Sequence, residues 1–133
     1  MTDFTLVTGL WDIKRGDLTD FGRSFDHYLS NFEKLLSLNF NMCAFVPKEL
    51  ELFVSSRRSS FNTKIITQEV EDFKTRFDFF KEVQKIRTDE SWYKRAGWLE
   101  NSTQAQLEYY NPVVMSKFFF LHDCSIRNYF HYL

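Results

Sequence analysis

Three short apolar runs, each followed by a longer stretch with helical spacing, constrain this chain more than any other feature. Phe4 to Trp11 is β-branched and aromatic and apolar at successive positions, the pattern of a strand covered on both faces. Met42 to Val46 and Thr63 to Thr67 read as a second and a third strand. Between the first two, Phe21, Phe25, Tyr28, Leu29, Phe32, Leu35 and Leu36 recur on one helical face, with Thr19 or Asp20 placed to cap its start. Pro47 suits the first turn of the next helix, which carries Leu50, Phe53 and Val54 and stops near Arg57 and Arg58. Strand and helix alternating in this order imply parallel strands joined by crossovers.

The rest of the chain reads as helical. Val70, Phe73, Phe77 and Phe80 form one stripe of a long helix over residues 69–87, with Phe79, Val83 and Ile86 beside it. Residues 88–101 mix loop and short helix. Ser102 is placed to cap a short helix to Tyr110. Asn111-Pro112 then breaks it and starts another, carrying Val114, Phe118 and Leu121 with Met115 and Phe119 and ending near His122-Asp123. The 133 residues fit one domain. Hydrophobic residues make up 44%, enough to bury a core, which excludes a disordered chain. A net charge of −1 gives no electrostatic ground for nucleic acid or an anionic membrane. No apolar run is long enough for a transmembrane segment or a signal-peptide core, so a cytoplasmic location is expected. Cys43 and Cys124, the two cysteines, read as reduced core residues.

No self-contained catalytic motif stands in the sequence. GxGxxG and GxxxxGK[ST] are both missing, and His27, His122 and His131 lack metal-ligand spacing. His122-Asp123-Cys124 are neighbours in a row, which rarely meet as a triad. In an open parallel sheet a ligand binds beyond the carboxyl ends of the strands. Those ends are residues 8–12, 46–47 and 67–68. Asp12 there could accept hydrogen bonds from a sugar or base or approach a metal, or simply cap a loop. Thr8 is a ligand contact or a structural strand threonine. Arg57 and Arg58 could grip a phosphate, or form a solvated pair at a helix end. Trp92, Tyr93 and Trp98 could stack on a sugar or pack inside.

Several segments together resemble a known family. Thr5-Leu6-Val7-Thr8-Gly9-Leu10-Trp11-Asp12-Ile13 is similar to the opening strand of the bacterial HtrL/YibB/WlaTC-like family of glycosyltransferase-like proteins. The helix with Tyr28-Leu29 and Phe32, the strand ending Phe45-Val46-Pro47, an arginine before the third strand and Thr63-Lys64-Ile65-Ile66 follow its order. Tyr110-Asn111-Pro112-Val113-Val114-Met115-Ser116-Lys117 is the most specific stretch.

The resemblance implies an α/β fold: a three-layer, parallel-sheet, GT-A-like and Rossmann-like half-domain with three strands and four to five helices. Residues 1–133 would form a single incomplete domain, the amino-terminal nucleotide-sugar-binding half of a glycosyltransferase. Thr8 and Asp12 would lie near the nucleotide, Arg58 would face the donor or its pyrophosphate, and Asn111 and Lys117 would line the donor side. The intact relative would move a sugar from a nucleotide-sugar donor to a surface-glycan acceptor with a divalent metal, Mn or Mg. In that family a Trp-x-Asp-Gly-like segment follows the Asn-Pro…Lys helix as the counterpart of the metal-binding aspartates. This chain stops before it, at the aromatic tail Tyr129-Phe130-His131-Tyr132-Leu133. It is therefore expected to hold no metal or catalytic residue of its own and to be weakly active or inactive. The alternative is a non-catalytic interaction module or homo-oligomer built on the aromatic surface.

Overall fold

The computed structural model describes residues 4–18 and 22–131. Strand β1 (Thr5–Gly9) pairs with β2 (Asn41–Val46), and β2 with β3 (Thr63–Thr67). Both pairings are parallel and the order is β1-β2-β3. The expected mixed α/β half-domain is therefore present. One expectation about burial is corrected. β2, at the centre, is buried along its whole length, whereas β1 is an edge strand and only half-buried. An edge strand leaves one row of backbone groups without a neighbour, so cover on both faces does not bury it.

The period-two alternation of β2 divides the core. Met42, Ala44 and Val46 face one cluster, with Phe32 and Leu36 from helix α1 (Phe25–Leu36) and Val54 from α2 (Glu51–Ser55). Cys43 and Phe45 face the other, with Phe73 of α3 (Phe73–Arg76), Phe80 of α4 (Phe79–Arg87) and Phe120 and Cys124 of α7 (Tyr110–Arg127). Two single-turn helices, α5 (Glu90–Tyr93) and α6 (Thr103–Gln106), bridge α4 to α7. Seven α-helices stand among the described residues, more than the four to five expected; the two short ones lie where the sequence reads short helices, and the long helix is split.

That split corrects the sequence reading of one helix over 69–87. Phe77 is extended, at φ −116° and ψ 116°, between α3 and α4. The run Phe77-Asp78-Phe79-Phe80 puts apolar groups at nearly successive positions, which a single helix face cannot bury. Opening the backbone at Phe77 lets its ring meet Phe73 edge-on at 5.4 Å and stack on Phe79 at 5.0 Å while Phe80 stays buried. A second correction concerns α7. The expected stripe of Val114, Phe118 and Leu121 with Met115 and Phe119 is exposed, and Pro112, Ser116, Phe120 and Cys124 pack inward at intervals of four. The helix also runs past His122-Asp123 to Arg127, ending at Asn128 in the left-handed region.

Helix α1 begins at Ser24, whose hydroxyl accepts from the His27 N–H at 3.3 Å. The expected caps Thr19 and Asp20 and the stripe residue Phe21 lie outside the described residues, as do Tyr132 and Leu133. Ser102 caps α6 as expected, accepting from the Ala105 N–H.

Two local devices hold the two ends of the sheet. At the amino ends, Arg58 donates to the carbonyls of Leu36 at 2.9 Å, Leu38 at 2.7 Å and Phe40, and to the Thr63 hydroxyl at 2.8 Å. It thereby satisfies carbonyls left open by the end of α1 and joins them to the start of β3. Burial lowers the Arg58 pKa from its usual value, yet the group stays charged. At the carboxyl ends, Gly9 lies under the Trp11 ring. A Cβ there would stand 2.6 Å from that ring and 2.7 Å from the Phe45 carbonyl oxygen.

Two substitutions test these devices by urea unfolding. Arg58→Lys keeps the charge but not the planar fork and should lose about 2 kcal/mol. Gly9→Ala should lose ~1–3 kcal/mol through overpacking. An unchanged urea midpoint in either variant would remove that device from the account.

Candidate functional site at the carboxyl ends of the strands

The three carboxyl ends form a common rim, as their parallel register requires. Leu10 N–H donates to Phe45 O at 3.2 Å and Gln68 N–H to Val46 O at 2.9 Å. Trp11 leaves β1 and crosses this rim. It is buried, and its indole Nε1 donates to the Gln68 carbonyl at 2.6 Å. The next residues make a tight turn. Asp12 Oδ1 accepts from the Lys14 N–H at 3.0 Å, and Lys14 adopts φ 69°. The turn delivers Arg15 over the rings of Tyr28 of α1 and Tyr110 of α7, at 5.8 and 5.9 Å.

These segments enclose a solvent-open cleft of about 300 Å³. One part of its lining is apolar: Leu10, Ile13, Phe25 and Val113. The other carries Asp12, Arg15, Arg23 and Lys117 beside Tyr28 and Tyr110. The Tyr28 hydroxyl is buried and has no hydrogen-bond partner among the described residues. An apolar wall beside a few convergent polar groups is the usual make-up of a small-molecule site, and this volume lies at the lower end for one.

The expected site residues divide between this cleft and other places. Asp12 and Lys117 line it, from the end of β1 and from the second turn of α7. Asp12 also serves the local turn, with Lys14 Nζ 3.7 Å from its Oδ2. Thr8 lies one residue before the cleft begins, on the β1 face shared with Leu6 and Leu10, which pack on the α1 side. Asn111 donates to the Gln104 carbonyl at 3.4 Å and so ties the start of α7 to α6, next to the cleft residue Tyr110. Arg58 is not brought to the cleft. It sits at the amino ends of the strands, its guanidinium occupied by the carbonyls described above, and lines a separate hollow with Thr63 and Lys64. The carboxyl-end expectation therefore does not hold for Arg58.

Arg15, Arg23, Tyr28 and Tyr110 were not singled out as site residues from the sequence. Arg15 sits in what reads as a polar loop over residues 12–19, and Arg23, Tyr28 and Tyr110 as helix residues. The signal that could have found Arg15 is its position in the loop after the first strand, where a parallel sheet places ligand-binding loops.

His122, Asp123 and Cys124 splay around α7, as neighbours on a helix must. His122 is exposed, Asp123 pairs with Arg76, and Cys124 is buried. Arg76 also donates to Gln68 Oε1 at 2.6 Å, which fixes the β3 side of the rim. Cys124 instead meets Cys43 of β2. Both are free thiols at 9% and 1% exposure, and both line a hollow of about 390 Å³. The hydrogen bond with Cys124, then burial, push the Cys43 thiol far above its ordinary range. The same bond lowers Cys124, because a thiolate there accepts the Cys43 S–H. Of the two, Cys124 is therefore the thiol that deprotonates more readily.

A chromogenic disulfide reagent at pH 8 should therefore titrate Cys124 ahead of Cys43, with Cys43 reacting only on unfolding. Cys43 has the raised folded pKa, so its contribution to stability is complete below ~pH 8.5, its unfolded value, and is lost as pH rises beyond it. Two equally fast thiols in the folded chain would contradict the pairing.

Fold and cleft define a class: a three-layer parallel α/β unit with a charged, aromatic-walled cleft beyond its first strand. The comparisons with known proteins agree on a family. A model described as "Bacterial protein of unknown function (HtrL_YibB)" matches residues 2–132. The chain is 31% identical over 134 residues to Protein HtrL of Escherichia coli (strain K12), which covers 95% of this chain and 43% of that protein. The chain belongs to the HtrL_YibB family, and it spans less than half the length of this relative. No solved structure matches it. No helix among the described residues is long and apolar enough to cross a membrane.

Proposed function

We propose that the chain is the nucleotide-sugar-binding half of a glycosyltransferase-like protein of the GT-A type, whose full-length form passes the sugar to a surface-glycan acceptor. The observation that carries this is the position of the cleft. It lies beyond the carboxyl end of β1, with Asp12 and Lys117 facing one space across apolar and aromatic walls. In this reading the Asp12 carboxylate accepts hydrogen bonds from hydroxyls of the ribose or the donor sugar. Lys117 offsets charge on the departing diphosphate, where a fixed cation stabilises the negative charge that develops. Thr8 and Asn111 support the two sides of the cleft from β1 and from the start of α7. A cytoplasmic setting, where nucleotide sugars are made, belongs to the same proposal.

A divalent cation does not suit this part of the protein. Among the described residues Asp12 is the single carboxylate in the cleft lining, it already serves the Lys14 turn, and it shares the lining with Arg15, Arg23 and Lys117. Hard cations such as Mg²⁺ want several oxygen ligands. No group of three or more His, Cys, Asp or Glu able to hold a metal stands among the described residues.

A panel of uridine-, guanosine- and thymidine-diphosphate sugars tests the proposal by thermal unfolding. One of them should raise the Tm, by the equivalent of ~2.7 kcal/mol at a hundredfold excess over its Kd. Asp12→Asn and Lys117→Met should each shrink that shift without lowering the unliganded Tm. A flat response across the panel would sink the proposal.

The outer face of α7 favours a second reading, a non-catalytic interaction module in which two copies meet. Phe118 and Ile126 are 76% and 70% exposed, with Leu121 and Phe119 beside them. Several large apolar side chains exposed along one helix favour an interaction site. A tight dimer in light scattering, together with no response to the nucleotide panel, would favour this reading over the first.

A further inference from the structure

We infer that the basic corner of the cleft, lined by Arg15, Arg23 and Lys117 beside Tyr28, is a binding site for the phosphoryl groups of a ligand, with pyrophosphate as its minimal form. Its place along a nucleotide sugar rests on the proposed function, but its chemistry does not.

Three features carry it. First, among the described residues the lining brings together three cations and one carboxylate, in a chain whose net charge is −1. Positive charge has been concentrated here against the composition, and a partly enclosed concavity strengthens its field. Second, the cations differ in how they are held. Arg15 is placed by the faces of Tyr28 and Tyr110. Arg23 and Lys117 make no ion pair among the described residues, so their charge is available to a ligand. A guanidinium fork fits phosphoryl oxygens in a bidentate manner, and an ammonium adds a point charge. Third, Tyr28 lines the cleft, and its hydroxyl is buried without a hydrogen-bond partner among the described residues. A buried polar group is ordinarily satisfied, and an orphan calls for an explanation. A phosphoryl oxygen entering the corner would accept its proton and supply the missing bond. Asp12 does not oppose this, because its carboxylate is turned to the Lys14 N–H and lies within ion-pair distance of Lys14 Nζ.

The Tyr28 hydroxyl gives the test its sharpest readout. If it waits for a ligand, removing it should not harm the free protein but should weaken binding. A hydroxyl that merely props up the fold would behave in the opposite way. Calorimetric titration with inorganic pyrophosphate, uridine diphosphate and uridine is the experiment. Pyrophosphate should bind, with an affinity that falls as salt is raised. Arg23→Gln and Lys117→Met should each weaken it about tenfold, the scale of one charge-assisted contact. Tyr28→Phe should weaken it by a similar factor while the Tm of the unliganded chain holds or rises. Lys85→Gln, an exposed cation on α4, should change nothing.

Absent or salt-independent pyrophosphate binding overturns the inference. So does binding that survives Arg23→Gln and Lys117→Met, or a Tyr28→Phe variant that loses Tm and keeps its affinity. The two proposals separate cleanly. Pyrophosphate binding as tightly as uridine diphosphate would keep the phosphoryl site and remove the support for a uridine donor. Uridine binding without pyrophosphate binding would do the reverse.

Discussion

The passage of Trp11 across the strand ends is the contact on which the rest of the structure depends. Its indole leaves an edge strand, reaches over the central strand and donates to the backbone just after β3, 57 residues away. The ring meets Phe73 edge-on at 5.3 Å and lies 5.8 Å from Phe120. One side chain thus fixes α3 and α7 against the same end of the sheet, and the space it needs is left by the missing side chain at Gly9. Burying an indole without a partner for its N–H would be costly, so the Gln68 carbonyl completes the arrangement. Asp12 and the Lys14 turn follow directly, and the cleft takes its position from them.

The strand–helix order was readable because period-two and period-3.6 patterns state which residues must be buried. The third strand was located to the residue, and the first and second to within two residues at each end. Patterns fail where apolar residues are too dense to point in one direction. Phe77 to Phe80 and the run from Val113 to Leu121 are both apolar on more than one face. Sequence spacing then cannot say whether a helix breaks or which stripe faces inward. The long helix and the α7 stripe depart from their patterns for this one reason, in a chain with 16 Phe.

The cleft was half legible. Asp12 is adjacent to a strand end, so the topology alone nominates it. Lys117 was reached through the likeness of the Asn-Pro…Ser-Lys helix. Arg58 failed because an arginine before a strand is equally suited to an anion and to a set of open carbonyls. Only the end of the sheet it occupies decides between them, and that depends on where α2 returns the chain. Arg15 and Tyr28 were invisible for a different reason. Their pairing depends on the left-handed conformation at Lys14, a residue type that gives no local hint of a positive φ.

Helix α7 shows how packing specifies the site. Pro112, Ser116, Phe120 and Cys124 lie in one row against the sheet, and Ser116 is accommodated because its hydroxyl donates to the Val113 carbonyl at 2.7 Å. A row at intervals of four fixes the rotation of the helix about its axis. Once that is set, Tyr110, Val113, Val114 and Lys117 fall on the flank that lines the cleft, while Phe118 and Ile126 turn outward. The cleft residues of α7 are therefore placed by core residues that never touch a ligand. Exchanging the small buried Ser116 for a larger residue would rotate or lift the helix and move Tyr110 away from Arg15. The site and the hydrophobic core are two faces of one constraint, and a change confined to the core would be felt first in the cleft.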